Sequence, residues 1–131
     1  MTSSHFHAVI WLDHHQARVF HFSATEDDQQ KFHPHNPSVH IHHKANEIGS
    51  GNQRLEPAFM NEIVHAVSET GEVLLIGPGG AKTEFMTYLE RYSPKLKSKI
   101  LGVEAVDHPS DGEIVAYARK FFKPVDAMLP R

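Results

Sequence analysis

The chain has 131 residues, a formal net charge of -3, 12 histidines and no cysteine. That length suits one domain with a core of its own. The missing cysteine excludes disulfides, thiol nucleophiles and Cys-type zinc sites, and the slightly acidic balance excludes a generally basic nucleic-acid binder, so any RNA contact must be local.

With 40% hydrophobic and 22% charged residues, the composition is that of a globular domain and not of a disordered chain. The start, Met1-Thr2-Ser3-Ser4-His5, lacks the basic and apolar regions of a signal peptide, and no apolar run is long enough to span a bilayer. The expected setting is the cytoplasm, with no membrane partner. The histidines crowd into the first half; a free imidazole titrates at about pH 6.5, so that half is expected to turn cationic on mild acidification.

In chain order, Phe6 to Leu12 is apolar and rich in strand formers, Asp13-His14-His15 is a turn, and Ala17 to Phe22 is a second strand. So short a connection predicts an antiparallel hairpin. The polar stretch Thr25 to Gln30 reads as another turn. A third strand is expected between Lys31 and Lys44, broken at Pro34 or Pro37. Within it Val39 and Ile41 share one face and His40 and His42 the other, the alternation of a half-buried strand.

Ala45 to Arg54 holds two glycines and two asparagines without periodicity, which predicts a surface loop. Leu55, Phe59, Ile63 and Val67 then recur at helical spacing, with Pro57 in the first turn and Gly71 as a stop. Val73-Leu74-Leu75-Ile76 is a continuous apolar run that suits a central strand covered on both faces. Gly77-Pro78-Gly79-Gly80 forms a tight turn into a helix from about Lys82 to Tyr92, which Pro94 ends. Lys99 to Val106 is a fifth strand. Ser110-Asp111-Gly112-Glu113 matches a capping box ahead of a last helix to about Phe122, burying Ile114, Ala118 and Phe121, with 123–131 as a tail.

The order β-β-β-α-β-α-β-α predicts a single α/β domain over 1–131, its core at about 6–122. Its mixed five-stranded sheet carries packed helices in the ribonuclease H-like architecture. The two-metal nuclease chemistry known on such sheets needs several converging carboxylates. Here Asp13 sits in a turn after the first strand, the central strand ends in Gly77 and not in a carboxylate, and Asp107 at the end of the fifth strand has no obvious partners, so that chemistry is not expected.

Val73 to Leu89, VLLIGPGGAKTEFMTYL, resembles the strand-turn-helix of the central, peptidyl-tRNA-facing domain of eukaryotic and archaeal class-1 release factors and Pelota. There a hydrophobic strand runs into Gly-Pro-Gly, then a lysine and a phenylalanine, here Gly77, Pro78, Gly79, Lys82 and Phe85. Lys99 to Val106 and the helix start at Asp111-Gly112-Glu113 are similar to the family's next elements. Upstream, His42-His43-Lys44 and Gly49 to Arg54 stand where the family places a basic-rich loop with Gly-Gly-Gln. The loop departs from the family in carrying Gly51-Asn52-Gln53.

The resemblance implies a stand-alone "translational machinery" domain that binds ribosome or tRNA in peptide release, rescue or regulation. Lys44, Arg54 and Lys82, with the Gly79 and Gly80 backbone, would meet phosphate. Gln53, flanked by Asn52 and Gly51, would approach the tRNA acceptor end; a glutamine is no base at neutral pH, so it would position water and stabilise an oxyanion. A separate codon-reading or rescue factor is an implied further partner, and DNA is not. No cofactor is expected under this reading. Gly77 to Lys82 is no Walker motif, because no Gly-Lys-Ser/Thr follows.

A rival reading rests on the histidines. His33 and His35, and His40 and His42, sit two apart and share a face if extended, so they can hold zinc or another transition metal in a sensing module without catalysis.

Overall fold

The computed structural model describes residues 6–23, 26–35 and 55–128, with side chains up to Lys123. The strands are β1 (His7–Leu12), β2 (Ala17–Phe22), β3 (Asp27–Phe32), β4 (Glu72–Gly77) and β5 (Ile100–Ala105). The helices are α1 (Pro57–Ala66), α2 (Ala81–Tyr92), α3 (Pro94–Lys99) and α4 (Asp111–Met128).

The strands form one sheet in the order β3-β2-β1-β4-β5. The β1–β2 and β2–β3 pairs are antiparallel, whereas β1–β4 and β4–β5 are parallel. This is the expected mixed, ribonuclease H-like arrangement. β1 and β4 sit at its centre, so both of their faces must be apolar, and every residue of β4 is buried.

The alternation of β1 splits the core into two layers. Ala8, Ile10 and Leu12 join Val73 and Leu75 under α1 and α2, against Phe59, Ile63, Phe85 and Leu89. Val9 and Trp11 join Leu74 and Ile76 under α4, against Ile114, Val115, Ala118 and Phe122. Phe59 and Phe85 are wholly buried, so truncating either to alanine costs about 3–5 kcal/mol. Gly102 on β5 lets α4 lie close: a Cβ there would stand 2.7 Å from Cζ of Phe121.

Several sequence expectations need correction. The third strand is Asp27–Phe32, so most of the stretch read as a turn pairs with β2. It is an edge strand exposed from Asp27 to Lys31, with only Phe32 half-buried against the core, so hydrophobic alternation carries no signal there. Of the expected strand between Lys31 and Lys44, residues 36–44 lie outside the described residues. Pro94 does end α2, yet it also opens the short helix α3, where proline fits the first turn. The last helix runs beyond Phe122 to Met128, and Phe122 is buried more deeply than Phe121. The capping box is present: the Ser110 amide donates to Glu113 Oε1 at 2.8 Å, and the Glu113 amide to Ser110 Oγ at 3.2 Å. No helix among the described residues is long and apolar enough to cross a membrane.

Candidate functional site

The parallel strands β1, β4 and β5 all end at one edge of the sheet. Asp13 and His14 follow β1, Gly77 to Gly80 close β4 and lead into α2, and Asp107 and His108 follow β5. Open α/β sheets place their ligand sites outside this carboxyl edge.

Glu84, in the first turn of α2, ties three segments together there. Its Oε1 accepts the Leu55 amide at 2.9 Å, and its Oε2 lies 2.7 Å from His14 Nε2. Its own amide donates to the Gly80 carbonyl at 3.2 Å. The chain therefore leaves the Gln53-bearing segment at a point fixed to the β1–β2 turn and to the helix after the glycine turn. On the other side of that segment, the His35 amide donates to Glu56 Oε1 at 2.7 Å, and His35 Nε2 lies 2.9 Å from Glu62 Oε2. Glu56 thus joins His35 to Leu55's neighbourhood, so both stems of 36–54 are held within one hydrogen bond of each other.

The glycine turn has its own clasp. Lys82 curls back so that Nζ donates to the Gly77 carbonyl at 2.7 Å and to the Gly79 carbonyl at 2.8 Å. The residue is buried, and desolvation lowers its pKa below the ordinary lysine range. Gly77 has φ of +152°, and a Cβ there would sit 2.1 Å from the Leu12 carbonyl oxygen. Gly79 and Gly80 are exposed, and a Cβ at either would meet nothing within 4 Å. Steric need explains Gly77 but not its two followers.

Beyond β5, Trp11 Nε1 donates to the Asp107 carbonyl at 2.7 Å. His108 Nδ1 lies 2.8 Å from Asp107 Oδ1, and its Nε2 lies 3.7 Å from Asp13 Oδ2. Asp13 Oδ1 is occupied with the amides of His15 and Gln16. Next to it, Arg18 lies over the Trp11 ring, 4.5 Å from its centroid, and donates to Asp111 Oδ1 at 2.7 Å.

Of the residues singled out in the sequence, Gly79, Gly80 and Lys82 come together at this edge. Gly51, Asn52, Gln53, Lys44, Arg54, His40 and His42 lie outside the described residues. His33 is exposed, and His35 bonds to Glu62 as above. Among the described residues no three His, Asp or Glu side chains converge as a metal site. Sequence reasoning missed Glu84, Glu56 and Glu62. Their partners lie 21 to 70 residues away, so no local pattern announces them.

No family model matches the sequence, and no curated protein does. Solved structures do. The Pelota protein of Archaeoglobus fulgidus is 11% identical with a TM-score of 0.59, covering 87% of this chain and 30% of that one. The Pelota protein of Thermoplasma acidophilum is 14% identical with a TM-score of 0.60, covering 86% and 31%. The archaeal translation termination factor aRF1 is 17% identical with a TM-score of 0.50, covering 93% and 38%. The fold is Pelota- and aRF1-like. At these identities the likeness is one of fold, and the chain spans about a third of the length of each of those proteins.

Proposed function

We propose that this chain is a release-factor-like domain that engages the ribosome and a tRNA held there, in the cytoplasm. The observation that carries the reading is the shared fold, over most of this chain, with Pelota and a translation termination factor. The fixed positions of His35 and Leu55 on either side of 36–54 support it, because residues presented to a large partner need a fixed base. In this reading Gln53, with Gly51 and Asn52, faces the acceptor end of the tRNA. Lys44, Arg54 and the backbone amides of the exposed Gly79 and Gly80 meet phosphate. Lys82 stands behind the glycine turn and lends its charge without direct contact.

Co-sedimentation with ribosomes across a salt series tests the reading. Binding that weakens as salt rises is the expected result, since phosphate contacts release counterions. Absence of binding at low salt would remove the translational role. Peptide release from peptidyl-tRNA by wild type and by Gln53→Ala tests hydrolysis separately, and equal rates would leave Gln53 without a catalytic part.

A further inference from the structure

A groove of about 820 Å³ lies between α2 and the chain entering α1, at Leu55 and Met60, with Tyr88, Glu90, Arg91 and Tyr92 among its α2 lining. Residues four apart on a helix share a face, so Glu84, Tyr88 and Tyr92 form one row and Thr83, Thr87 and Arg91 the row beside it. The Tyr88 and Tyr92 rings stand 4.8 Å apart, tilted by 43°. Tyr92 is 64% exposed, an unusual position for so large an aromatic in a chain whose other rings are mostly buried.

The charge around these rings is opposite to that of the chain. Residues 86–99 carry four cations, Arg91, Lys95, Lys97 and Lys99, against one carboxylate, Glu90, while the whole chain has a net charge of -3. Leu96 is buried and pins α3 to the core, and Lys95, exposed, and Lys97, half-buried, flank it three and five residues along the chain from Tyr92. Lys99 donates to the Ser68 carbonyl at 3.1 Å. Arg91, Lys95 and Lys97 make no ion pair or side-chain hydrogen bond among the described residues. The other carboxylate of the groove, Glu84, is engaged with Leu55 and His14.

Tyr88 is half-buried against the core and backs the exposed Tyr92 ring. An exposed ring with free cations nearby suits a flexible nucleic-acid strand, whose bases stack on rings and whose phosphates follow cations. We propose that this groove is a single-stranded RNA site, with Tyr92 and Tyr88 as the stacking platform and Arg91, Lys95 and Lys97 as phosphate contacts. It deepens the translational reading and rests on it for the source of the RNA. Leu55 lines the same groove, so the bound strand would pass beside the anchored stem of the Gln53-bearing segment.

The test is fluorescence anisotropy of a labelled, unstructured RNA of about a dozen nucleotides, a length within the range one such surface covers. The full chain is titrated across a salt series, and ribosome co-sedimentation is run in parallel. Tyr92→Ala should weaken RNA binding about tenfold with an unchanged melting temperature, and Tyr92→Phe should restore it. Lys95→Glu with Lys97→Glu should flatten the salt slope by about 0.7 for each phosphate that is no longer neutralised. No RNA binding by wild type, or unchanged affinity in both variants, overturns the proposal. So does loss of ribosome binding in Tyr92→Ala with RNA affinity intact, because the groove would then meet a protein. RNA binding with the expected pattern but no ribosome association upholds the groove and removes the ribosomal role.

Discussion

Glu84 Oε1 accepts the Leu55 amide at 2.9 Å, which fixes the C-terminal stem of the segment bearing Gln53 to the first turn of α2. Leu55 is itself buried, so its amide has no easy recourse to water. Removing the acceptor leaves a desolvated donor, a loss of about 1–3 kcal/mol. Glu84→Ala should therefore lower stability in urea and speed hydrogen exchange at Leu55. Glu84→Gln keeps an amide oxygen in the same place and should recover most of the stability. Equal exchange at Leu55 in wild type and Glu84→Ala would mean that the stem is held by packing alone.

Lys82 gives a second measurable case. Its ammonium is the donor to both Gly77 and Gly79 carbonyls, so Lys82→Met removes two hydrogen bonds from a tight turn. The expected loss is about 1–3 kcal/mol in denaturant melts near neutral pH. The pH dependence has a definite sign. Burial lowers the folded-state pKa, so the unfolded chain holds this proton more tightly. Titration therefore adds stability as pH rises between the folded value and the unfolded one, ~10.4, and only this added part is absent below the folded value, where the two hydrogen bonds remain. The difference in stability between wild type and Lys82→Met should widen over that alkaline range, and a constant difference would contradict it.

Much of the fold is legible in the sequence because the central strands are uniform in character. Val73 to Ile76 has no polar interruption, and the glycine turn after it can only lead into a new element. The capping box at Ser110 and Glu113 is likewise local chemistry that four residues specify. β3 is hidden because an exposed edge strand has no reason to alternate, and Asp27-Asp28-Gln29-Gln30 suits a turn equally well by composition. The site is less legible than the fold. The glycine turn and Lys82 are visible as a motif, yet the inward curl of the lysine depends on a carbonyl five residues back. Glu84 serves partners 29 and 70 residues away, which only the folded sheet brings near.

Asp111 anchors the start of α4 through Arg18. The hydrogen bond from the Arg18 guanidinium, 2.7 Å from Oδ1, is the main reason its carboxyl lies below the usual carboxylate range, and Gln29 adds a second donor at 2.9 Å. A lowered folded-state pKa gives stability that is present above the unfolded value, about 3.9, and lost as pH falls through the folded value. Asp111→Asn should flatten the acid limb of stability below about pH 4. It should also weaken the fold at neutral pH, because Arg18 is buried and its Nε already lacks a partner among the described residues. A stability profile parallel to that of wild type through the acid limb would assign the acid sensitivity to other carboxylates.

The three glycines of the turn separate folding from function. At Gly77 a side chain would need a positive φ and would stand 2.1 Å from the Leu12 carbonyl oxygen, a backbone atom that cannot yield without breaking the end of β1. Gly77→Ala should therefore cost several times the ~1 kcal/mol typical of a point substitution, or prevent folding, as read by circular dichroism and urea melts. Gly79→Ala and Gly80→Ala meet open space, so both should melt within about 0.5 kcal/mol of wild type, like other surface changes. If their bareness serves the close approach of a phosphate to the turn amides, these two folded variants should lose ribosome association across the salt series. Wild-type association in both would mean that the turn is bare for no reason of contact, and would confine the phosphate contacts to the lysines and arginines.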